Sequence, residues 1–183
     1  MLIIGITGTI GAGKGTIVEY LVNERGYAHY SVREFLLEEI RKRKMPENRD
    51  SMFKLANELR AKHGASWVVD QLYAFAVQSG RNCVIESIRT TGEVDSLRSK
   101  GNFILIAVDA DPAIRYRRIG LRQSETDRIS YETFLANEAR EMTSTGSDKP
   151  NIARCIELAD VVFMNKGTKE ELFEKLTAFS PDV

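Results

Sequence analysis

The sequence predicts an α/β fold of three layers, a five-stranded parallel sheet with helices on both faces. Two observations carry that prediction. Short apolar runs alternate along the chain with longer stretches whose apolar residues recur at helical spacing. A length of 183 residues with 43% hydrophobic content suits one domain with a sizeable core, and no repeat, low-complexity tract or linker divides it.

Leu2 to Thr7 reads as a fully buried strand, followed by a glycine-rich turn and a helix to about Glu24. Ala28 to Tyr30 makes a short second strand, and Ser31 caps a helix carrying Phe35, Leu36 and Ile40. Arg41 to Asn48 is charged, contains Pro46 and reads as a surface connection. Met52, Leu55 and Leu59 give helical spacing to Ser51–Lys62, and Val68, Leu72 and Phe75 give it to Trp67–Gln78. Asn82 to Glu86 is the third strand and Gly92 to Ser99 a helix. Phe103 to Asp109 is the clearest buried strand. Asp111 as cap and Pro112 at the first helical position start the next helix, which runs into the arginine-rich stretch Arg115–Arg128. A helix over Tyr131–Met142, a loop at Gly146–Pro150, a strand over Val161–Met164 and a helix over Lys169–Phe179 complete the chain. In such a sheet, ligands bind at the carboxyl ends of the strands.

Composition excludes several classes. Lysine plus arginine and aspartate plus glutamate both number 26, so no net basic field draws nucleic acid, and a nucleic-acid partner is not expected. Cys83 and Cys155 form no CxxC pair and read as buried reduced thiols of a cytosolic protein. His29 and His63 lack metal-ligand spacing, so zinc is not expected. No stretch has the length to span a bilayer, and the amino terminus lacks the basic region of a targeting signal. The expected location is the cytoplasm.

Gly8-Thr9-Ile10-Gly11-Ala12-Gly13-Lys14 fits the phosphate-binding pattern G-x-x-x-x-G-K, between a buried strand and a helix. Phosphate oxygens need closely packed N–H donors, and glycines let the backbone curl around them without Cβ clashes. The helix N-terminus adds positive potential, and Lys14 a mobile charge for β- and γ-phosphates. Gly8, Gly11, Ala12, Gly13, Lys14, Gly15 and Thr16 are the expected contacts of ATP. A glycine-rich turn with a chance lysine is the competing reading, opposed by the strand and helix on the correct sides.

The order Gly-Lys-Gly-Thr resembles the adenylate-kinase-related nucleoside monophosphate kinases. That resemblance implies a P-loop fold, a Thr16 hydroxyl touching phosphate, and Mg²⁺ held largely through water rather than by direct protein ligands. Tyr27-Ala28-His29-Tyr30-Ser31-Val32-Arg33-Glu34-Phe35-Leu36 is similar to the segment opening that family's acceptor site, which implicates Ser31, Arg33 and Glu34. Glu86-Ser87-Ile88-Arg89-Thr90 resembles the segment whose arginine, here Arg89, binds the acceptor's phosphate. Arg118 and Arg122 match the pair at the base of the family's lid, and Asp127 and Arg128 stand where a shortened lid would lie. Residues 41–64 are where this fold places an acceptor-binding flap, and residues 118–130 the short lid.

The two ends are similar to dephospho-coenzyme A kinase, through Ile4–Lys14 and through Ala159–Thr168, whose Asn165 and Gly167 would border adenine. Ser31 and Arg33 stand where that family has aspartates, and Leu37 where the monophosphate kinases have an acceptor arginine. Asn165-Lys166 lacks the aspartate of a guanine-reading loop, Thr168 standing in its place, which excludes a GTPase.

The roles follow from what phosphoryl transfer needs: alignment, charge neutralisation and exclusion of water. Lys14 holds the β/γ-phosphates, Arg118 and Arg122 with Arg128 neutralise the transferring group, and Arg89 clamps the acceptor. Glu86 orients the metal's waters or accepts a proton from a hydroxyl acceptor. A solvated basic face competes for the lid arginines, a helix-start surface arginine for Arg89, and a strand-end partner of Arg89 for Glu86. Asp109 and Asp111 read as structural, His29 as packing at the sheet edge, and Trp67, Phe35, Phe53 and Phe75 as core or acceptor-pocket wall. The predicted function is ATP-dependent phosphorylation of a small nucleotide-like acceptor, a (deoxy)nucleoside monophosphate. Two alternatives stay open: a dephospho-coenzyme A kinase, and a non-catalytic module that senses ATP.

Overall fold

Alternate residues of the central strands enter opposite cores, as the two-residue period of a strand requires. In a computed structural model that describes residues 1–122 and 129–179, Ile3, Cys83, Ile85 and Leu105 pack on one side. Ile4, Ile6, Val84, Ile106 and Val108 pack on the other. The strands are β1 (Ile3–Gly8), β2 (Ala28–Ser31), β3 (Cys83–Ile88), β4 (Phe103–Asp109) and β5 (Val161–Met164). They form one sheet in the order β2-β3-β1-β4-β5, every pair parallel. Burial on both faces explains their continuous apolar character.

The helices are α1 (Lys14–Asn23), α2 (Val32–Lys42), α3 (Arg49–His63), α4 (Trp67–Ser79), α5 (Thr91–Ser99), α6 (Pro112–Leu121), α7 (Tyr131–Met142), α8 (Ile152–Glu157) and α9 (Lys169–Phe179). α1 and α9 cover one face through Ile17, Leu21, Leu172 and Leu176. α2 to α5 and α8 supply the other core, with Leu36, Leu55, Val69, Val94 and Cys155. The caps are those that local chemistry favours: Ser31 Oγ accepts from Glu34 N at 3.2 Å, and Asp111 Oδ1 from Ala113 N at 2.8 Å. No helix among the described residues is long and apolar enough to cross a membrane.

The structure differs from the sequence reading at three places. α8 is an added helix of six residues, too short to display a period, and it is held by burial of Ile152 and Cys155. β3 extends past Glu86 to Ile88, and its register with β1 slips: Ile6 faces Glu86 but Thr7 faces Ile88. Ser87 is the inserted residue, with φ of 73°, a bulge that bends the strand where it meets the ligand edge. Phe75 is 50% exposed on α4, which corrects its reading as core or pocket wall. Val68, Val69, Leu72 and Ala76 form the buried face of α4. Both cysteines are buried and free. The lid positions Asp127 and Arg128 lie outside the described residues.

Candidate functional site

The loop between β1 and α1 is braced at nearly every residue. Gly8 has φ of 137°, and a side chain there would run into the Val108 carbonyl oxygen. Thr9 Oγ1 donates to Asp109 Oδ1 at 2.5 Å, and Arg115 Nη1 donates to the Ile10 carbonyl at 3.3 Å. Asn165 Nδ2 donates to the Ala12 carbonyl at 2.8 Å. Gly13 caps α1 with φ of 115°, and a Cβ at that position would stand 2.5 Å from Asn165 Nδ2. With the loop carbonyls held in this way, the first amides of α1 at Lys14 and Gly15 have no intrahelical acceptor and face outward. Lys14 Nζ donates to the carbonyls of Gly8 and Thr9, both at 2.8 Å.

A cavity of about 560 Å³ opens beside this loop. Gly11, Gly13, Lys14, Gly15 and Thr16 form one wall. Glu86, Ser87 and Arg89 reach it from the end of β3, and Arg122 from the end of α6. Arg33 and Leu36 of α2 and Phe53 and Arg60 of α3 close the opposite side, with Glu141 of α7. The charges act on one another. Burial and the neighbouring Arg89 and Arg122 push the Lys14 ammonium down to about 8, against the opposing pull of Glu86 and Glu141.

Glu86 accepts hydrogen bonds from two hydroxyls, those of Ser31 and of Ser87. Ser31 thus serves twice, capping α2 and orienting Glu86, because register sets it opposite Glu86 on β2. Arg89 pairs with neither hydroxyl nor Glu86; its Nε donates to Glu141 Oε2 at 2.8 Å and its Nη1 to the Ser87 carbonyl at 3.3 Å. The Glu141 charge raises the Arg89 pKa. Burial alone would raise Glu141, but Arg89, Lys14 and Arg49 outweigh it and hold the carboxyl below its usual range.

Most of the remaining candidate residues fall around this cavity rather than in it. Arg118 donates to the Asn165 carbonyl at 3.2 Å, to Asn165 Oδ1 at 3.3 Å and to the Gly167 carbonyl at 2.8 Å. It therefore ties α6 to the loop after β5, and burial with nearby Arg122 lowers its pKa. Gly8 and Ala12 lie behind the loop wall, their carbonyls taken by Lys14 and Asn165. Glu34 is exposed and pairs with Arg33 at 3.3 Å, outside the cavity wall. Leu37 is 5% exposed, so its position faces the interior, whereas Arg33 one turn earlier faces the cavity. Arg41 binds exposed Glu47 at 3.1 and 2.9 Å. His29, on the edge strand β2, is exposed and lines the cavity. Arg128 lies outside the described residues.

Four residues that matter here escaped the sequence reading. Glu138 holds Arg115 by bonds of 2.9 and 2.7 Å, and Glu141 holds Arg89. Arg60 and Glu93 form a pair at 3.0 Å whose side chains are only 3% and 1% exposed. The Thr-x-x-Glu spacing of Thr90 and Glu93 signals the capping box that the structure contains. Nothing local signals the arginine partners of the other two.

Residues 4–145 match the family model described as "AAA domain". Over 181 residues the chain is 30% identical to the UPF0200 protein of Methanococcus vannielii, covering 97% of this chain and 94% of that one. Among solved structures, a putative kinase from Chloroflexus aurantiacus superposes with a TM-score of 0.60 at 18% identity, covering 97% of this chain and 94% of its own. Dephospho-CoA kinase from Campylobacter jejuni superposes with a TM-score of 0.52 at 14% identity, over 97% and 94%. At those identities the two structures establish the fold, that of the P-loop kinases.

Proposed function

The chain belongs to the AAA domain family and to the UPF0200 proteins, and within that frame we propose that it is an ATP-dependent phosphotransferase. Its acceptor is a small nucleotide-like molecule, in the first instance a nucleoside or deoxynucleoside monophosphate. One observation carries the reading. The loop lysine Lys14 and the strand-end arginine Arg89 line the same cavity, together with Glu86. A donor site and an anion clamp facing one cavity are what transfer between two phosphorylated partners requires.

The residues present fit the groups they would hold. The loop offers a glycine cradle, unpaired helix-start amides and a desolvated ammonium, a donor set for polyphosphate. Thr16 and Glu86 line the cavity with hard oxygen donors suited to Mg²⁺. No group of three or more His, Cys, Asp or Glu gathers among the described residues, so water would complete the metal's shell. Bound Mg·ATP would supply the phosphoryl group and neutralise part of its charge.

Lys14 would exchange the Gly8 and Thr9 carbonyls for β/γ-phosphate oxygens. Arg122 would meet the charge that spreads over the transferring group, and Arg118 would keep the loop at Asn165 and Gly167 against the nucleotide base. Arg89 would fix the acceptor's phosphate, and Leu36, Met52 and Phe53 would cover its base. Transfer breaks the bond from the γ-phosphorus to the β–γ bridging oxygen, forms one to an acceptor oxygen, and releases ADP. A phosphate acceptor attacks as an oxyanion with no proton to lose; a hydroxyl acceptor would hand its proton to Glu86.

The test is ADP release from Mg·ATP across nucleoside and deoxynucleoside monophosphates plus dephospho-coenzyme A, with Lys14→Ala as blank. Turnover on a monophosphate, abolished in the blank, is the expected result. Arg89→Ala should then raise that acceptor's KM or cut kcat about a hundredfold or more while ATP affinity holds. Turnover on dephospho-coenzyme A alone transfers the assignment to that acceptor. ATP binding with no turnover on any member overturns the kinase reading in favour of a sensing module.

A further inference from the structure

Helix α7 carries Glu138 and Glu141 three residues apart, hence on one face, and each carboxylate holds an arginine of the site. The two arginines end in different states. Arg115 is 2% exposed and fully engaged: Nε donates to the Ala110 carbonyl at 2.7 Å, and the Nη atoms to Glu138 and the Ile10 carbonyl. Arg89 is held from one side only, through Nε to Glu141 and Nη1 to the Ser87 carbonyl. Its Nη2 has no hydrogen-bond partner among the described residues, and its side chain keeps 23% exposure against 14% for Glu141. Both line the cavity that Lys14 enters. A guanidinium fixed at Nε with its outer edge open is a ready seat for an oxyanion.

The geometry points to Glu141 as the positioning residue of the acceptor clamp: it fixes Arg89 so that the open Nη edge receives a phosphomonoester. This rests on the proposed reading for the identity of the anion, though the seat itself is a property of the pair. Glu141 does not touch the phosphate. It acts through Arg89, and it also balances Lys14 and Arg49, whose charges converge on the same carboxylate. Two accounts of such a carboxylate differ in sign. If it only set the charge of the cavity, removing it would tighten the binding of any anion. As a positioning residue its removal weakens binding, because the guanidinium loses the contact that aims it and swings away from like-charged Lys14 and Arg122.

The measurement is calorimetric titration of inorganic phosphate into the full chain in a Lys14→Ala background, which removes the competing seat at the loop. Glu141→Ala should weaken phosphate binding about tenfold to a hundredfold, the range found when outer partners of ligating groups are lost. Glu141→Gln keeps an acceptor for Nε without the charge, so it should recover part of that loss. Combined with Arg89→Ala, either variant should bind no more weakly than Arg89→Ala alone, since the effect passes through Arg89. Binding as tight as the parent or tighter in Glu141→Gln overturns the proposal, as does a multiplicative loss in the double variant or no phosphate binding by the parent. Should Glu141→Ala fail to fold, the near-isosteric Glu141→Gln decides alone. Turnover is read separately: a Glu141-dependent phosphate seat in a chain that phosphorylates nothing sinks the kinase reading and leaves the clamp standing.

Discussion

Lys14 shows how much of a site is decided at a single side chain. Its ammonium donates to two carbonyls of its own loop, while burial and the charges of Arg89 and Arg122 bring its pKa down to about 8. A polyphosphate needs the charged form, and binding one returns the proton that the empty site gives up. Near pH 8.5, binding of Mg·ATP should therefore take up part of a proton, and affinity should fall as pH rises further. Calorimetry in buffers of different ionisation heats reads that uptake, and a value near zero would contradict the assignment. The effect on folding has the opposite sense. Between about 8 and the ordinary 10.5 the unfolded chain binds more protons at this lysine, so its contribution makes stability rise with pH across that window.

At the scale of elements, the site depends on links between helices distant in sequence. Glu93 Oε2 accepts from the backbone N–H groups of Arg89 and Thr90 at 2.8 and 3.1 Å, while Oε1 binds Arg60 of α3. One carboxylate thus starts α5, shapes the Arg89 backbone and anchors a helix that walls the cavity. Glu93→Gln leaves Arg60 buried without a counter-charge and should cost about 3–5 kcal/mol in urea unfolding. A loss below about 1 kcal/mol would show the pair to be dispensable. The double variant Arg60→Met with Glu93→Gln should recover part of the loss, because no buried charge then remains. Much at this scale was legible in the sequence. Ser31 as a helix cap, Asp111 before Pro112, and the strands at Phe103–Asp109 and Val161–Met164 all follow from local chemistry. The Ser87 bulge was not legible, since a register slip exists only between paired strands. Nor was α8, with too few turns to show a period.

For the whole molecule, the core on one face of the sheet holds both cysteines out of solvent. Burial pushes the Cys83 thiol up to about 11 and the Cys155 thiol up to about 12. A thiol reagent at neutral pH should leave both unreacted in the folded chain and modify both on denaturation, so thiol release reports global unfolding. Fast modification of either in the native state would contradict the packing. The sequence alone determined the alternation of strands and helices, the glycine loop with Lys14, and the excess of arginine about the ligand edge. Period, caps and turn chemistry are properties of neighbours along the chain, and local patterns report them. Only the tertiary structure decided which charges meet. Glu141 reaches Arg89 across 52 residues and Asn165 reaches Ala12 across 153, because the order of strands in the sheet brings their helices and loops together. That order also sets Ser31 beside Glu86, aims Arg118 at the loop after β5, and buries Leu37. Contacts of such range depend on packing between elements, which no local pattern of residues encodes.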